Sequence, residues 1–184
     1  RHNDIYDAYG SVSINKLPND LPYLVMQAPS LPAYKGDKKK VSGYFVDPTG
    51  VHPNFSFVDA QYDVQGTSSQ YYARKNFKAK YNNGFELDDG TVVSKLSATV
   101  GGKPVKTFCY KVDVASSEGA NNARLVMLYE ELIPWKTPPQ EEDPTVRQGV
   151  GGFPFVLFYD DLSGVGPQFY GKGNFLNDKS NEDV

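Results

Sequence analysis

Short runs that alternate apolar and polar residues with a period of two constrain this chain more than any other feature. The pattern recurs in Val41–Val46, Asn54–Val58, Ala60–Val64 and Ala73–Tyr81. In the last run Phe77, Ala79 and Tyr81 share one face, and Asn76, Lys78 and Lys80 share the other. That is the signature of half-buried strands, whose side chains point alternately to the two faces. Composition agrees. The chain has 13 Tyr and 11 Phe against one Trp and 2 Met, and these rings favour sheet over helix. With 17 Gly and 13 Pro spread among the runs, turns are frequent. Collagen, coiled coil and an all-helical bundle are excluded.

At 184 residues the chain is one domain, or one domain with a small appendage. Its 39% apolar and 22% charged residues suffice for a core. Nineteen basic and 22 acidic side chains give a net charge of −3, so nothing suggests a binder of nucleic-acid phosphates. No run approaches the roughly 18 apolar residues of a membrane span. The single cysteine, Cys109, excludes an internal disulfide, and in a strand-like run it reads as a small buried hydrophobe. A thiol nucleophile needs a base, and only His2 and His52 exist. The start at Arg1 without Met, and the polar end at Val184, read as a piece of a longer protein.

Tyr9–Ile14 is an expected strand, and Leu21–Met26 is another that follows a proline and so suits a sheet edge. Lys35–Lys40 is a charged turn, and Asp47–Gly50, Asn82–Gly84 (a hairpin turn) and Asp88–Gly90 are further turns. Val105–Val112 is extended, and Phe153–Tyr159 pairs with Gln168–Leu176 as a hairpin around Asp160–Gly166. Gly171 and Gly173, two apart in a strand, point to close backbone approach or a kink. One helix is expected over about 116–133. A serine caps it, Leu125, Leu128, Tyr129 and Leu132 follow at helical spacing, and Pro134 bounds it. The expected fold class is therefore α+β and β-rich, with antiparallel sheets and one main helix.

Three segments could carry chemistry. Gln65–Ser69 leads into Arg74, Lys75, Lys78 and Lys80, so the backbone N–H groups of a Gly/Ser turn lie near cations that neutralise an anion. It is no Walker-type phosphate loop, and the plainer reading is a turn feeding a strand with solvated lysines. Lys111–Arg124 leads into a helix N-terminus, which favours anions or simply caps itself. Phe169–Ser180 holds a lone Gly-x-Gly. The acidic pairs Asp88/Asp89 and Asp160/Asp161 match no cation loop and read as turn acids. No catalytic residue, metal site or cofactor is assigned. Candidate phosphate or anion-binding residues are Gly66, Ser68, Ser69, Lys78 and Lys80, and the candidate interaction surface is Tyr71, Tyr72 and Trp135.

Four segments in order, Leu31–Lys39, Val64–Lys80, Cys109–Asn122 and Gly152–Ser180, resemble CotH-type proteins, the spore-coat kinase family. They resemble still more the CotH-related proteins of tailed bacteriophages. The likeness covers most of residues 20–184. It implies an N-terminal β-rich segment over 1–60 and a partial CotH-like domain over 61–184. In the kinases the scaffold transfers a phosphoryl group from ATP, and by position Lys78 or Lys80 would face the phosphates. Here Gln65 stands where the family has arginine, and Asn177 where it has an acid, with Asp178 adjacent. The phage relatives imply a structural virion protein of the tail, a fibre or the capsid surface, acting in assembly or host adhesion. Its partners would be other virion proteins in an oligomeric assembly and a host-surface receptor, with no nucleic acid. Two other functions stay open: a CotH-like kinase completed by residues beyond Val184, and a secreted or cell-surface adhesin or carbohydrate-binding module using Tyr and Trp135.

Overall fold

The two runs Asn54–Val58 and Ala60–Val64 are one strand with a phase slip. In the computed structural model, which describes residues 21–67, 69–98, 104–112 and 152–178, they form β3 (Phe55–Val64). Phe55 and Phe57 face inward, then Ala60, Tyr62 and Val64 do. The change from odd to even positions needs one extra residue. Asp59 supplies it in the left-handed region, at φ 54°.

Around β3 the strands close into a ring. Strands β1 (Tyr23–Gln27), β2 (Lys39–Val46), β4 (Phe77–Lys80), β7 (Thr107–Val112), β8 (Gly152–Asp160) and β9 (Gln168–Asn177) complete it. The order is β1-β8-β9-β7-β4-β3, and β2 joins β3 back to β1. Two short strands, β5 (Phe85–Leu87) and β6 (Val92–Val93), extend from β3 outside the ring. Seven is an odd number, so a ring of strictly alternating strand directions cannot close. One parallel pair is required, and it falls at β1–β8, with Val25 opposite Phe158. Every other neighbouring pair is antiparallel.

The expected α+β scaffold with a main helix and a partial kinase-like core is thereby corrected. Among the described residues the fold is all-β, with a closed seven-strand barrel and only a 3-10 turn at Ser69–Tyr71. The expected helix at 116–133 and the expected strand Tyr9–Ile14 lie outside the described residues. No helix among the described residues is long and apolar enough to cross a membrane.

Two local expectations also change. Leu21–Met26 was expected at an edge, but closure gives β1 a neighbour on both sides. Its proline, Pro22, stands just before the strand and accepts a bond from Val156 N. The Asn82–Gly84 segment is not a hairpin turn. Strands β4 and β5 both run antiparallel to β3, one after the other, so the segment is a kink within one passage of chain. Gly84 takes φ +77° there, and Asn83 Nδ2 donates to Val58 O.

The lumen is filled with rings. Phe175 lies 4.6 Å from Phe108, 4.9 Å from Phe153, 5.0 Å from Tyr110 and 5.5 Å from Phe155, centroid to centroid. Gly173 stands opposite Val112, where a Cβ would meet Lys111 O at 2.2 Å, so the expected close approach is found. At one end His52 stacks on Phe153 at 4.0 Å and bonds Asp47. The cavity left beside them is about 10 Å³, too small for a ligand. Three tyrosines sit fully buried inside. Tyr81 OH bonds both Tyr62 OH, at 3.2 Å, and Tyr110 OH. Burial raises all three phenol pKa values well above the ordinary range, so they stay neutral. On the outer face of the parallel seam Val25, Val156 and Phe158 form a second buried cluster. The run Leu24-Val-Met26 is thus apolar on both faces.

Candidate functional site

The functional candidates lie on the outside of this barrel. Along β4 the inward residues Phe77 and Ala79 pack the lumen, so Lys78 and Lys80 must point out. Across the β3–β4 ladder Lys78 stands opposite Asp63, and Lys80 opposite Gln61. These four side chains form the floor of a surface cleft of about 500 Å³. The Gln65–Gly66 turn closes one end, with Gly66 at φ +102°.

The β1–β2 connection makes a wall. Its turn brings Lys35 and Lys38 to the cleft, and Gly36 N donates to Asp63 Oδ1 at 2.7 Å. The same connection is braced within itself. Asp37 accepts from Ala33 N and pairs with Lys39 at 2.9 Å, and those bonds hold its carboxyl below the usual range.

The last lining residue is Asp178, just past β9. It is 3% exposed and pairs with Lys78 Nζ at 2.5 Å. Its other oxygen accepts from Cys109 Sγ at 3.6 Å. Burial, with the nearby Asp178 charge, pushes the Cys109 thiol up to about 12. The thiol is therefore protonated at neutral pH and inert as a nucleophile. This agrees with its reading as a buried hydrophobe, since Cys109 packs on Leu176.

Four lysines against two aspartates make the cleft cationic in a chain of net charge −3. Lys35, Lys38 and Lys80 are exposed and have no ion-pair partner among the described residues. Such ammonium groups accept carboxylate or phosphate oxygens through charge-assisted hydrogen bonds. Among the described residues no group of three His, Cys, Asp or Glu could hold a metal.

The structure thus brings Gly66, Lys78 and Lys80 together, as the turn-then-strand spacing implied. Ser68 lies outside the described residues, and Ser69 opens the 3-10 turn beyond Gly66. Of the expected interaction surface, Tyr71 is 82% exposed and Tyr72 less so, while Trp135 lies outside the described residues. Lys75 spans this loop, donating from Nζ to Gln70 O at 2.7 Å, and its N–H bonds Tyr170 OH at 2.6 Å. Sequence reasoning missed Lys35, Lys38 and Asp63 as members of the cleft, and noted Asp178 only as the acid adjacent to the family's acidic position. The run of lysines after Lys35 hinted at two of them, and it reads equally well as a solvated tip. No protein-family model, no curated protein and no solved structure matches this chain.

Proposed function

We propose that this chain is a structural module of a virion protein, working in assembly or adhesion through its outer surface. The observation that carries the reading is the contrast between a lumen packed solid with rings and an exterior that presents a cationic cleft and exposed tyrosines. Among the described residues, the space left beside His52 at the end of the barrel is about 10 Å³, too little for a substrate. The cleft instead offers three ammonium groups to acidic side chains of a neighbouring protein. Tyr34 and Tyr71 add amphipathic contact area on loops at the same end of the barrel. The resemblance to phage proteins supplies the setting.

Mass spectrometry of gradient-purified particles tests the reading. The chain is expected at fixed stoichiometry with the other virion proteins. Absence from particles would contradict it, and so would ATP-dependent phosphoryl transfer by the longer protein that is lost in both Lys78→Ala and Lys80→Ala.

A further inference from the structure

The β8–β9 hairpin ends in a tip with two exposed aliphatic side chains, Leu162 at 56% and Val165 at 75% exposure. Leu162 also holds φ 64°, a conformation that branched side chains rarely adopt. Two bonds keep it there. Asp160 Oδ1 accepts from Leu162 N at 2.9 Å, and Asp161 Oδ1 accepts from Ser163 N at 3.0 Å. Gly164 and Gly166, at φ +96° and +84°, complete a preset turn. The tip is therefore a stiff apolar knob flanked by two carboxylates. Backbone strain retained at an exposed position is a reason to look for a partner.

The cleft over the β3–β4 ladder has the complementary character. Counting round the ring, the β9–β8 seam lies three seams from the β3–β4 seam one way and four the other, and because β1 and β8 run parallel the knob and the Lys35–Lys38 wall of the cleft stand at the same end of the barrel. One is acidic and apolar. The other is cationic, and the aliphatic stems of Lys35, Lys38 and Lys80 line it. A knob of one copy that meets the cleft of another makes a heterologous contact, and such contacts propagate into rings or filaments.

We propose that copies of this chain associate head to tail, the Asp160–Val165 knob of one copy seated in the lysine cleft of the next. This inference rests on the reading of the chain as an assembly module and names its partner as a second copy of itself.

Sedimentation velocity of the full 184-residue chain tests it. Association is expected to rise with protein concentration and to weaken from about 0.02 M to about 0.5 M salt, because exposed charges are screened. Asp161→Lys with Ser163→Lys makes the knob basic while Asp160 still holds the turn. Lys35→Glu, Lys38→Glu and Lys80→Glu together make the cleft acidic. Each variant alone should associate about tenfold more weakly or worse, since each then faces like charge. Mixed in equal amounts they should associate again, because each knob now finds an opposite cleft. Leu162→Ser with Val165→Ser, which alters no charge, should weaken association at both salt concentrations. Circular dichroism confirms that every variant is folded. A wild-type chain that stays monomeric at all concentrations overturns the proposal. So do variants that associate like wild type, or a mixture no better than its parts. A monomeric chain that is nonetheless found in particles removes self-docking and leaves the assembly reading standing.

Discussion

Cys109 and Tyr110 are neighbours on β7 and face opposite sides of the same sheet. Each belongs to a buried polar cluster, and the two clusters are built on different rules. Inside, Tyr62, Tyr81 and Tyr110 satisfy one another with neutral hydroxyls, and no ionised group accompanies them. Outside, Asp178 holds Lys78 beside the Cys109 thiol, and the ammonium reaches the cleft and its solvent. The difference teaches where this molecule tolerates charge. A closed lumen lined by aromatic and aliphatic side chains penalises charge, so the tyrosines there stay neutral. The outer wall is open to solvent, and the lysines and aspartates of the cleft collect there.

The largest test of that contrast is Phe175→Ala. It removes the ring that touches five others in the lumen and should cost about 3–5 kcal/mol in denaturant titration. Tyr71→Ala, on the outside, should stay within about 0.5 kcal/mol. Next comes Lys78→Met, which removes the ammonium paired with the buried Asp178 carboxylate, at about 2 kcal/mol. Asp178→Asn should cost less, about 1 kcal/mol, because Lys78 is 41% exposed and can turn to water. Equal losses for the two would mean that Asp178 is not the buried partner.

Tyr81→Phe probes the inner cluster. It strips the shared hydroxyl and leaves two phenols short of a partner, for about 1–2 kcal/mol by the same titration. The smallest effect is nil at neutral pH. Cys109 has its pKa raised in the folded chain to about 12 from an ordinary 9.0, so the unfolded chain loses that proton first. The contribution to stability is full below about pH 9 and is lost as pH rises from there to about 12. The three buried tyrosines, raised above 10.0, push in the same direction. Thermal melts should therefore fall through that window, and less steeply in Cys109→Ala. Alkylation of Cys109 at pH 8 should be at least about a hundredfold slower folded than unfolded.

The strands were legible wherever one face alone is buried, as in Phe77, Ala79 and Tyr81 against Lys78 and Lys80. The slip at Asp59 was visible too, as a change from odd to even apolar positions, although it looked like two strands. Closure was not legible. The β1–β8 seam joins residues more than a hundred positions apart, and Leu24-Val-Met26, apolar on both faces, gives no period to read. Asn82–Gly84 misled because the left-handed freedom that makes a hairpin also makes a kink within one passage of chain. The site followed the same rule. Gly66, Lys78 and Lys80 were within reach of local spacing, whereas Lys35, Lys38 and Asp178 join them only once the ring is closed.

That ring is the claim beneath everything else, and its parallel seam is where it can be tested. Amide hydrogen exchange followed by NMR reads it directly. If β1 is held between β2 and β8, the amides of Leu24–Met26 and Val156–Phe158 exchange as slowly as those of Gln61–Val64 in the middle of the ladder. Cross-strand contacts should then join Val25 to Phe158. Fast exchange along the β8-facing side of β1, as at an open edge, would contradict the barrel and with it the separation of a ring-filled lumen from a charged exterior.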